Sequence, residues 1–280
     1  MNTILATYLE FVALDKSQNT VRSYTKVLGD FEKFITVDIL DATSTDIQAY
    51  VSHKGSTGVK KSTLNQHIRA IKAFYASMAL DGRIEKDPAK NIRLLKEPVR
   101  EVVTITDDEF GAMLSACRGS QERLMLQMLR RTGLRAAEMV SIKMSDIHDC
   151  KVTFIGKGNK QFTMPLTETV CDALTEWKEE RKVTGIDSEY LLTAVGHKDG
   201  ITTRALSHRI KELARKAGLP DDRVEKIHTH TLRASFITGI AAKHGGLVAQ
   251  HAARHASQNT TKLYINTMAL GIEEAILSQG

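Results

Sequence analysis

Six side chains of this sequence are of the types that could cut a phosphodiester bond without a metal ion. They comprise two arginines, a lysine, two histidines and a tyrosine: Arg135, Lys157, His230, Arg233, His255 and Tyr264. Guanidinium groups could bind the non-bridging oxygens of a phosphate and offset the charge of a pentavalent transition state. A tyrosine could supply the nucleophile, because nearby positive charges favour the phenolate.

Neighbouring residues could hold both arginines in place. Arg135 follows Gly133 at a predicted break between a buried helix and a shorter one, and Glu138 comes one turn later. A carboxylate at that spacing can form a charge-assisted bond to the guanidinium. Arg233 follows His230 by three residues, on the same face of a predicted helix. Single arginines are more often structural than catalytic, so neither position decides the function alone.

Lys157 lies between two glycines at the turn of a predicted β-hairpin, in Gly156–Lys160. One interpretation is a solvated turn lysine, because Gly-Lys-Gly is a common sequence. The alternative is a flexible ammonium group that protonates a departing 5′-oxygen, which contributes roughly 10²–10⁴ in rate. The GxxxxGK[ST] spacing of a Walker phosphate loop is absent.

Histidines near the carboxyl end could also suggest a zinc site: His228, His230, His251 and His255. The region has neither the glutamate of an HExxH motif nor a nearby cysteine, whereas zinc sites need three or four converging ligands. We therefore predict no metal ion. In the competing interpretation, His255 donates to a phosphate oxygen and His230 accepts or relays the proton of the nucleophile.

The elements that must position these residues are predicted to be mainly α with a small β-sheet. Residues 1–96 contain four amphipathic helices, two of them with Asn19 and Ser62 as predicted caps, which indicates a helical bundle. Residues 97–104 form a charged linker. Residues 105–280 are predicted to form an α+β domain that contains the hairpin.

Basic side chains of the first domain are candidate contacts to a polyanion. They lie in a predicted flexible loop at 54–61 and on an exposed stripe of the fourth helix: Lys54, Lys60, Lys61, Arg69 and Lys72. The net charge of +6 agrees with such a partner. A solvated helix face is the alternative, because charge runs usually indicate that.

Composition argues against membrane and secreted classes. No apolar run approaches the ~18 residues of a membrane span, and the first residues do not show the pattern of a signal peptide. The three cysteines, Cys117, Cys150 and Cys171, contain no CxxC pair and leave an odd count. We therefore expect reduced thiols and a cytoplasmic location.

The ordered motifs resemble those of the tyrosine recombinases, the family of phage integrases and Xer-type enzymes. Four blocks stand in the order of that family: Thr132–Glu138, Gly156–Lys160, His230 to Arg233, and His255 with Tyr264 nine residues later. The first domain is similar to the SAM-like core-binding domain of the family, including Ser62–Asn65 and Phe74-Tyr75. The resemblance covers almost the whole chain.

The resemblance implies a mechanism that needs neither ATP nor a metal ion. Tyr264 would attack the scissile phosphate to give a 3′-phosphotyrosine and a free 5′-hydroxyl. The other implied roles are phosphate ligands for Arg135, Arg233 and His255, general acid for Lys157 and general base for His230. Two rounds of strand exchange through a Holliday junction would recombine two duplexes. The implied partner is double-stranded DNA with a specific recombination site, bound by a homotetramer whose protomers are monomeric in free solution.

Two positions depart from the family, and one segment follows it. Arg254 stands where a glycine usually precedes His255, which alters the local turn. Ala234 stands where a histidine often follows Arg233, so we expect one supporting contact to be missing. A short helix at 270–278 carries an apolar stripe. Docking of this helix on a neighbouring subunit is implied, and folding back on its own domain is the alternative.

Two other functions fit the same residues. One is a hairpin telomere resolvase, or a nickase similar to the type IB topoisomerases. The other is a DNA-binding protein, idle or regulatory, whose site no longer reacts. The presence of Tyr264 together with both arginines argues against an idle site.

Overall fold

A computed structural model describes residues 2–98, 102–156, 159–194 and 198–253. The chain divides into two compact units, Met1–Val99 and Arg100–Gly280. Lys157, His255, Tyr264 and the predicted helix at 270–278 lie outside the described residues. Among the described residues, no helix combines the length and the apolar character that crossing a membrane requires.

The first unit is built from helices whose apolar faces share one core. They are α1 (Thr3–Asp15), α2 (Gln18–Phe34), α3 (Ser44–Ser56) and α4 (Lys61–Leu80). Edge-to-face aromatic contacts connect them, with ring centroids 5.2 Å apart both for Tyr8 of α1 with Phe74 of α4 and for Phe31 of α2 with Tyr50 of α3. The predicted helical bundle is confirmed.

Both predicted helix caps of this unit are wrong by two residues. Ser17 caps α2 instead of Asn19, and its hydroxyl accepts a hydrogen bond from the Thr20 N–H at 3.3 Å. Lys60 is the N-cap of α4 and makes no side-chain cap bond, so Ser62 lies within the helix. Several residues near each helix start could cap it, and the backbone conformation selects among them.

The predicted basic loop at 54–61 is partly helical. Because α3 continues to Ser56, Lys54 lies in its last turn, where its ammonium group is 3.1 Å from a carboxylate oxygen of Asp30. Lys72 is also less available for contact with a polyanion than its position in the sequence suggests, because its Nζ donates to three backbone carbonyl oxygens. The exposed members of the predicted set are Lys60, Lys61 and Arg69.

The second unit combines helices with a three-stranded antiparallel sheet. Its described helices are α5 (Asp107–Ser115), α6 (Ser120–Thr132), α7 (Ala136–Ser141), α8 (Glu168–Thr184), α9 (Thr203–Lys216), α10 (Asp221–Val224) and α11 (Thr229–Ala252), with a 3₁₀ turn at Met144–Asp146. The strands are β1 (Ile147–His148), β2 (Lys151–Ile155) and β3 (Gln161–Pro165). The predicted hairpin is confirmed as β2–β3, in which Phe154 pairs with Phe162. At two residues, β1 is too short to show a strand pattern in the sequence.

The buried helix predicted before Arg135 is also confirmed. Residues 124–129 of α6 are all buried, and α6 packs against α8 and α11. A helix that is apolar on most sides needs neighbours around it. The element that leads to Arg135 is therefore held by the core of the second unit.

The cysteines differ from the expectation of reduced thiols. Cys150, in the turn between β1 and β2, is joined by a disulfide to Cys171 near the start of α8, with Cα atoms 5.9 Å apart. The fold brings them together because the Leu166 N–H, just before α8, donates to the Cys150 carbonyl oxygen at 2.7 Å. The expectation holds for Cys117, which is free.

An ion pair connects the start of α5 to α10. Arg223 donates through Nε to Glu109 Oε1 at 2.5 Å and through Nη2 to Oε2 at 2.7 Å, and Nη2 also donates to the Thr104 carbonyl oxygen. Glu109 and Thr106 form the capping box of α5. The bond from Arg223, with further bonds from Thr106, lowers the pKa of Glu109 to about 2.

Glu109→Gln should destabilise the second unit near neutral pH, and this effect should fade in acid. The stabilisation by the carboxylate is complete above its ordinary pKa of 4.5 and is lost as the pH falls through the folded value of about 2. The side chains of Arg223 and Glu109 are 23% and 21% exposed, so we expect the substitution to cost about 1–2 kcal/mol near neutral pH. Urea unfolding across a pH series measures it. Asp108→Asn, an exposed carboxylate of the same turn, is the control, and an equal pH dependence of both variants would contradict the assignment.

Candidate functional site

The turn between α6 and α7 presents Arg135. Gly133 ends α6 with a φ of 59°, in the left-handed region that favours glycine. Arg135 is the N-cap of α7, and its Nη1 donates to Glu138 Oε1 at 2.7 Å. The Arg135 backbone N–H donates to the other carboxylate oxygen at 2.9 Å. Glu138 is buried, so the carboxylate that sequence spacing assigns to Arg135 holds the guanidinium from inside the protein.

Gly133 also leaves no space for a side chain. A Cβ atom at this position would lie 2.3 Å from Cδ1 of Phe236, on α11. That distance is well inside van der Waals contact, so a substitution would displace the ring or the turn. The sequence indicates a helix end at Gly133, but the contact with Phe236 depends on how α11 packs against α6.

Arg233 is a buried cation that connects three segments of the second unit. It lies on α11 and is 4% exposed. Its Nη1 donates to the Gly133 carbonyl oxygen, and its Nη2 donates to the Ala253 carbonyl oxygen. The first bond places Arg233 against the turn that presents Arg135. The two arginines identified from the sequence therefore belong to one region.

The bond from Arg233 to Ala253 requires α11 to fold back on itself. A continuous helix rises 1.5 Å per residue, so it would separate positions 233 and 253 by about 30 Å. The helical conformation is broken at Gly245, which has a φ of 82° and a ψ of 166°. Residues before and after the break pack in one apolar cluster: Ile237, Ala241, Ala249 and Ala253. The part of α11 after Gly245 therefore returns along the part before it.

His230 lies one turn before Arg233, near the start of α11. Desolvation, followed by the positive charges of Arg233 and Arg135, lowers the pKa of His230 below its ordinary value of 6.5. The imidazole is therefore neutral at neutral pH and can accept a proton. His230 and Arg233 are three residues apart on α11, so they share one face of the helix.

A second histidine, His228, lies close to His230 at the start of α11. The rings of His228 and His230 meet edge to face with centroids 5.9 Å apart. Desolvation, His230 and Lys211 lower the pKa of His228. Within the described ranges, no group of three or more His, Cys, Asp or Glu side chains is arranged to hold a metal ion.

The end of the β2–β3 hairpin lies beside the pair of Arg135 and Glu138. The Gly156 N–H donates to the Lys160 carbonyl oxygen at 2.8 Å and closes the turn. A Cβ atom at Gly156 would lie 2.7 Å from Cε2 of Phe162 and 3.6 Å from Glu138 Oε1. The residue that directly precedes Lys157 is therefore adjacent to the arginine site.

The positions that depart from the resembled family are only partly described. Ala234 is 4% exposed, so the small side chain is packed inside the protein immediately after Arg233. Arg254 lies outside the described residues. The described part of the site thus consists of two guanidinium groups, a neutral imidazole and the base of a hairpin turn, a combination suited to binding a phosphate and moving a proton.

Comparison with protein families gives two matches along the chain. The phage integrase family model matches residues 103–269, which include the described arginine site and Tyr264. The model of the phage integrase N-terminal SAM-like domain matches residues 5–81, which lie in the first unit. The first match alone covers more than half of the chain.

Curated relatives match over nearly their full length. Tyrosine recombinase XerD of Listeria monocytogenes is 26% identical over 292 residues, covering 98% of this chain and 97% of the relative. Tyrosine recombinase XerA of Pyrococcus horikoshii is 27% identical over 277 residues, covering 97% and 90%.

Solved structures share the fold. A lambda integrase tetramer bound to a Holliday junction has a TM-score of 0.74 and 18% identity, covering 94% of this chain and 76% of that one. The XerH recombinase in a post-cleavage complex with a palindromic difH substrate has a TM-score of 0.72 and 21% identity, covering 91% and 78%.

Proposed function

The chain belongs to the phage integrase family, and from this premise we propose that it is a site-specific tyrosine recombinase that cuts and rejoins DNA. The observation that carries the proposal is the buried guanidinium of Arg233 on the Gly133 carbonyl oxygen, two residues before Arg135. This bond supports a site in which two arginines from distant segments meet one phosphate. Both guanidinium groups would be in place before the substrate binds, and charges preorganised in this way stabilise a transition state.

In the proposed reaction, the phenolic oxygen of Tyr264 attacks the scissile phosphorus and the bond to the 5′-oxygen breaks. His230 accepts the phenolic proton, for which its neutral ring is suited. Lys157 donates a proton to the departing 5′-oxygen. The products are a 3′-phosphotyrosine and a 5′-hydroxyl, and the phosphodiester energy is kept in the new bond. Attack by the 5′-hydroxyl of a second strand reverses these steps.

Arg135, Arg233 and His255 are the proposed ligands of the phosphate oxygens. Glu138 supports Arg135 through the two hydrogen bonds to its side chain and backbone. The position of Gly156 next to Glu138 supports the assignment of Lys157 as the general acid. Gly156 directly precedes Lys157, so the hairpin turn begins beside Arg135 and Glu138.

The proposed partner is double-stranded DNA that carries a specific recombination site. The proposed location is the cytoplasm of a bacterial, archaeal or phage-infected cell, where this DNA lies. The lambda integrase relative binds a Holliday junction as a tetramer, and we propose the same assembly for this chain. Within it, the segment 270–278 would dock on a neighbouring protomer. Lys60, Lys61 and Arg69 are the exposed candidates for contacts of the first unit with DNA phosphates.

A nicked suicide duplex tests the proposal. The duplex carries the binding site mapped by footprinting, and cleavage next to the nick releases a short strand, so religation cannot occur. We expect a covalent protein–DNA adduct that resists SDS and forms in EDTA without ATP. Binding with no adduct would indicate an idle site, and covalently closed hairpin ends as product would indicate a telomere resolvase.

Binding should also weaken steeply as salt is added. A protein that neutralises about 6–10 phosphates loses roughly 10³–10⁵ in affinity between about 50 and 200 mM salt. Arg69→Gln should lower the slope of log affinity against log salt by about one, because one phosphate contact is lost. Fluorescence anisotropy over a salt series measures both quantities. An affinity that does not change with salt would contradict DNA clamping.

A further inference from the structure

The connection that leaves the first unit is attached to α4 by a buried amide. Asn65 is 2% exposed. Its Nδ2 donates to the Leu95 carbonyl oxygen at 3.0 Å and to Glu97 Oε1 at 2.7 Å, while its Oδ1 accepts from the Leu95 N–H at 2.7 Å. One side chain thus pairs with both backbone groups of Leu95, as a neighbouring strand would.

Lys72 makes a second attachment two turns later in α4. Its Nζ donates to the carbonyl oxygens of Ala89, Lys90 and Ile92 at 2.7, 2.8 and 3.0 Å. These bonds use all the donors of the ammonium group. The segment 89–97 therefore runs antiparallel to α4. Lys72 binds its first residues and Asn65 binds its last residues.

The second unit holds the far end of the connection. Arg223 donates to the Thr104 carbonyl oxygen, and the Ile105 N–H donates to the Ser235 hydroxyl at 2.8 Å. Six residues, 98–103, lie between the attachments at Glu97 and Thr104. At about 3.3–3.6 Å per residue, this length can span at most about 25 Å.

We propose that Asn65 is a positioning residue for DNA binding, because it sets the length of the connection between the two units. Without its bonds, the connection would begin after Ile92, which Lys72 still holds, and would comprise eleven residues, 93–103. The effective concentration of one unit at DNA bound by the other falls roughly as the −3/2 power of linker length, so we expect an affinity loss of about 2.5-fold. The expected loss of DNA affinity rests on the proposed function, whereas the attachment of the segment through the hydrogen bonds of Asn65 does not.

Limited trypsin digestion of the full chain tests the attachment. Arg93 and Lys96 are cleavage sites within the attached segment, and protease cuts in proportion to the released population when release is fast. Asn65→Ala removes three hydrogen bonds, so cleavage at these two sites, followed by mass spectrometry, should accelerate roughly 10- to 100-fold. The matched control is Gln66→Ala, which removes an exposed amide from the adjacent position and should leave the rate unchanged.

Glu97→Ala keeps the test valid if Asn65→Ala unfolds the first unit. It removes one acceptor of the Asn65 amide and should accelerate cleavage about 2- to 10-fold with no change of the unfolding midpoint. Cleavage at the rate of the unsubstituted chain in both variants would overturn the attachment.

DNA affinity tests the positioning role. Five Gly/Ser residues inserted after Pro98 lengthen the connection from six to eleven residues, so the insertion should lower affinity for the footprinted duplex by the same factor as Asn65→Ala. The role of Asn65 would be overturned if the insertion lowers DNA affinity while Asn65→Ala, although it is cleaved faster by trypsin, binds DNA with unchanged affinity. Failure of the unsubstituted chain to bind any DNA would overturn the proposed function and the positioning role with it, whereas the digestion result would still stand.

Discussion

Tyr264→Phe should bind the recombination site with the affinity of the unsubstituted chain and form no covalent adduct. The phenolic oxygen is the atom proposed to become bonded to phosphorus, and phenylalanine has no atom that can take its place. The loss should therefore be complete, in contrast to the partial losses expected when a stabilising group is removed. Adduct formation on the suicide duplex and anisotropy titration of the same preparation measure the two properties.

His255→Ala is the control for this result. Removal of one phosphate donor typically slows a reaction by about 10²–10³, so a measurable rate should remain. Equal residual cleavage in the two variants would show that the nucleophile is assigned to the wrong residue. An adduct that persists in Tyr264→Phe and is mapped by peptide sequencing to another side chain would identify the correct one.

Arg233→Lys should slow cleavage by about 10²–10³ and change DNA affinity only slightly. The guanidinium of Arg233 reaches the Gly133 and Ala253 carbonyl oxygens from two different nitrogens, and it is also the proposed ligand of the scissile phosphate. Lysine carries a single compact ammonium group, which cannot reproduce that geometry. The interaction lost would act mainly in the transition state, so single-turnover cleavage at saturating protein is the appropriate measurement.

The control for Arg233→Lys must separate catalysis from stability. Arg209 makes a comparable pair of bonds within the second unit, to Gln121 Oε1 at 3.0 Å and to the Thr193 carbonyl oxygen at 3.1 Å. Arg209→Lys should reduce the free energy of unfolding to a similar extent without slowing cleavage of the folded protein. Equal slowing by both substitutions would mean that Arg233 acts through stability alone.

Local patterns in the sequence predict much of the fold. The bundle, the β2–β3 hairpin and the buried helix before Arg135 follow from apolar spacing and turn residues. Acidic residues directly after Thr106 are typical of a helix start, and α5 begins there. The spacing of Arg135 and Glu138 predicts their hydrogen bond, because both lie within one helical turn. Each of these features depends on residues close together in the chain.

Features that depend on contacts between distant residues could not be predicted. The ring of Phe236 over Gly133 joins residues about one hundred positions apart, and no local pattern indicates it. Lys72 has the sequence signature of a surface lysine, yet backbone carbonyl oxygens of a later segment surround its ammonium group. Cys150 and Cys171 have no motif spacing, and the hydrogen bond from Leu166 to Cys150 brings the start of α8 to the turn that contains Cys150. Tertiary packing decides these positions.

Because α11 reverses its direction at Gly245, we expect the arginine site to tolerate a change in the number of residues at this point of the chain. Extra residues at the tip, next to Gly245, would lengthen a loop whose ends are already joined through Arg233 and Ala253, and each doubling of loop length costs only about 0.6 kcal/mol. One extra residue within either arm would instead rotate every later side chain by about 100°. Insertions and deletions among homologues should therefore concentrate at this tip, and the arms should keep a constant length.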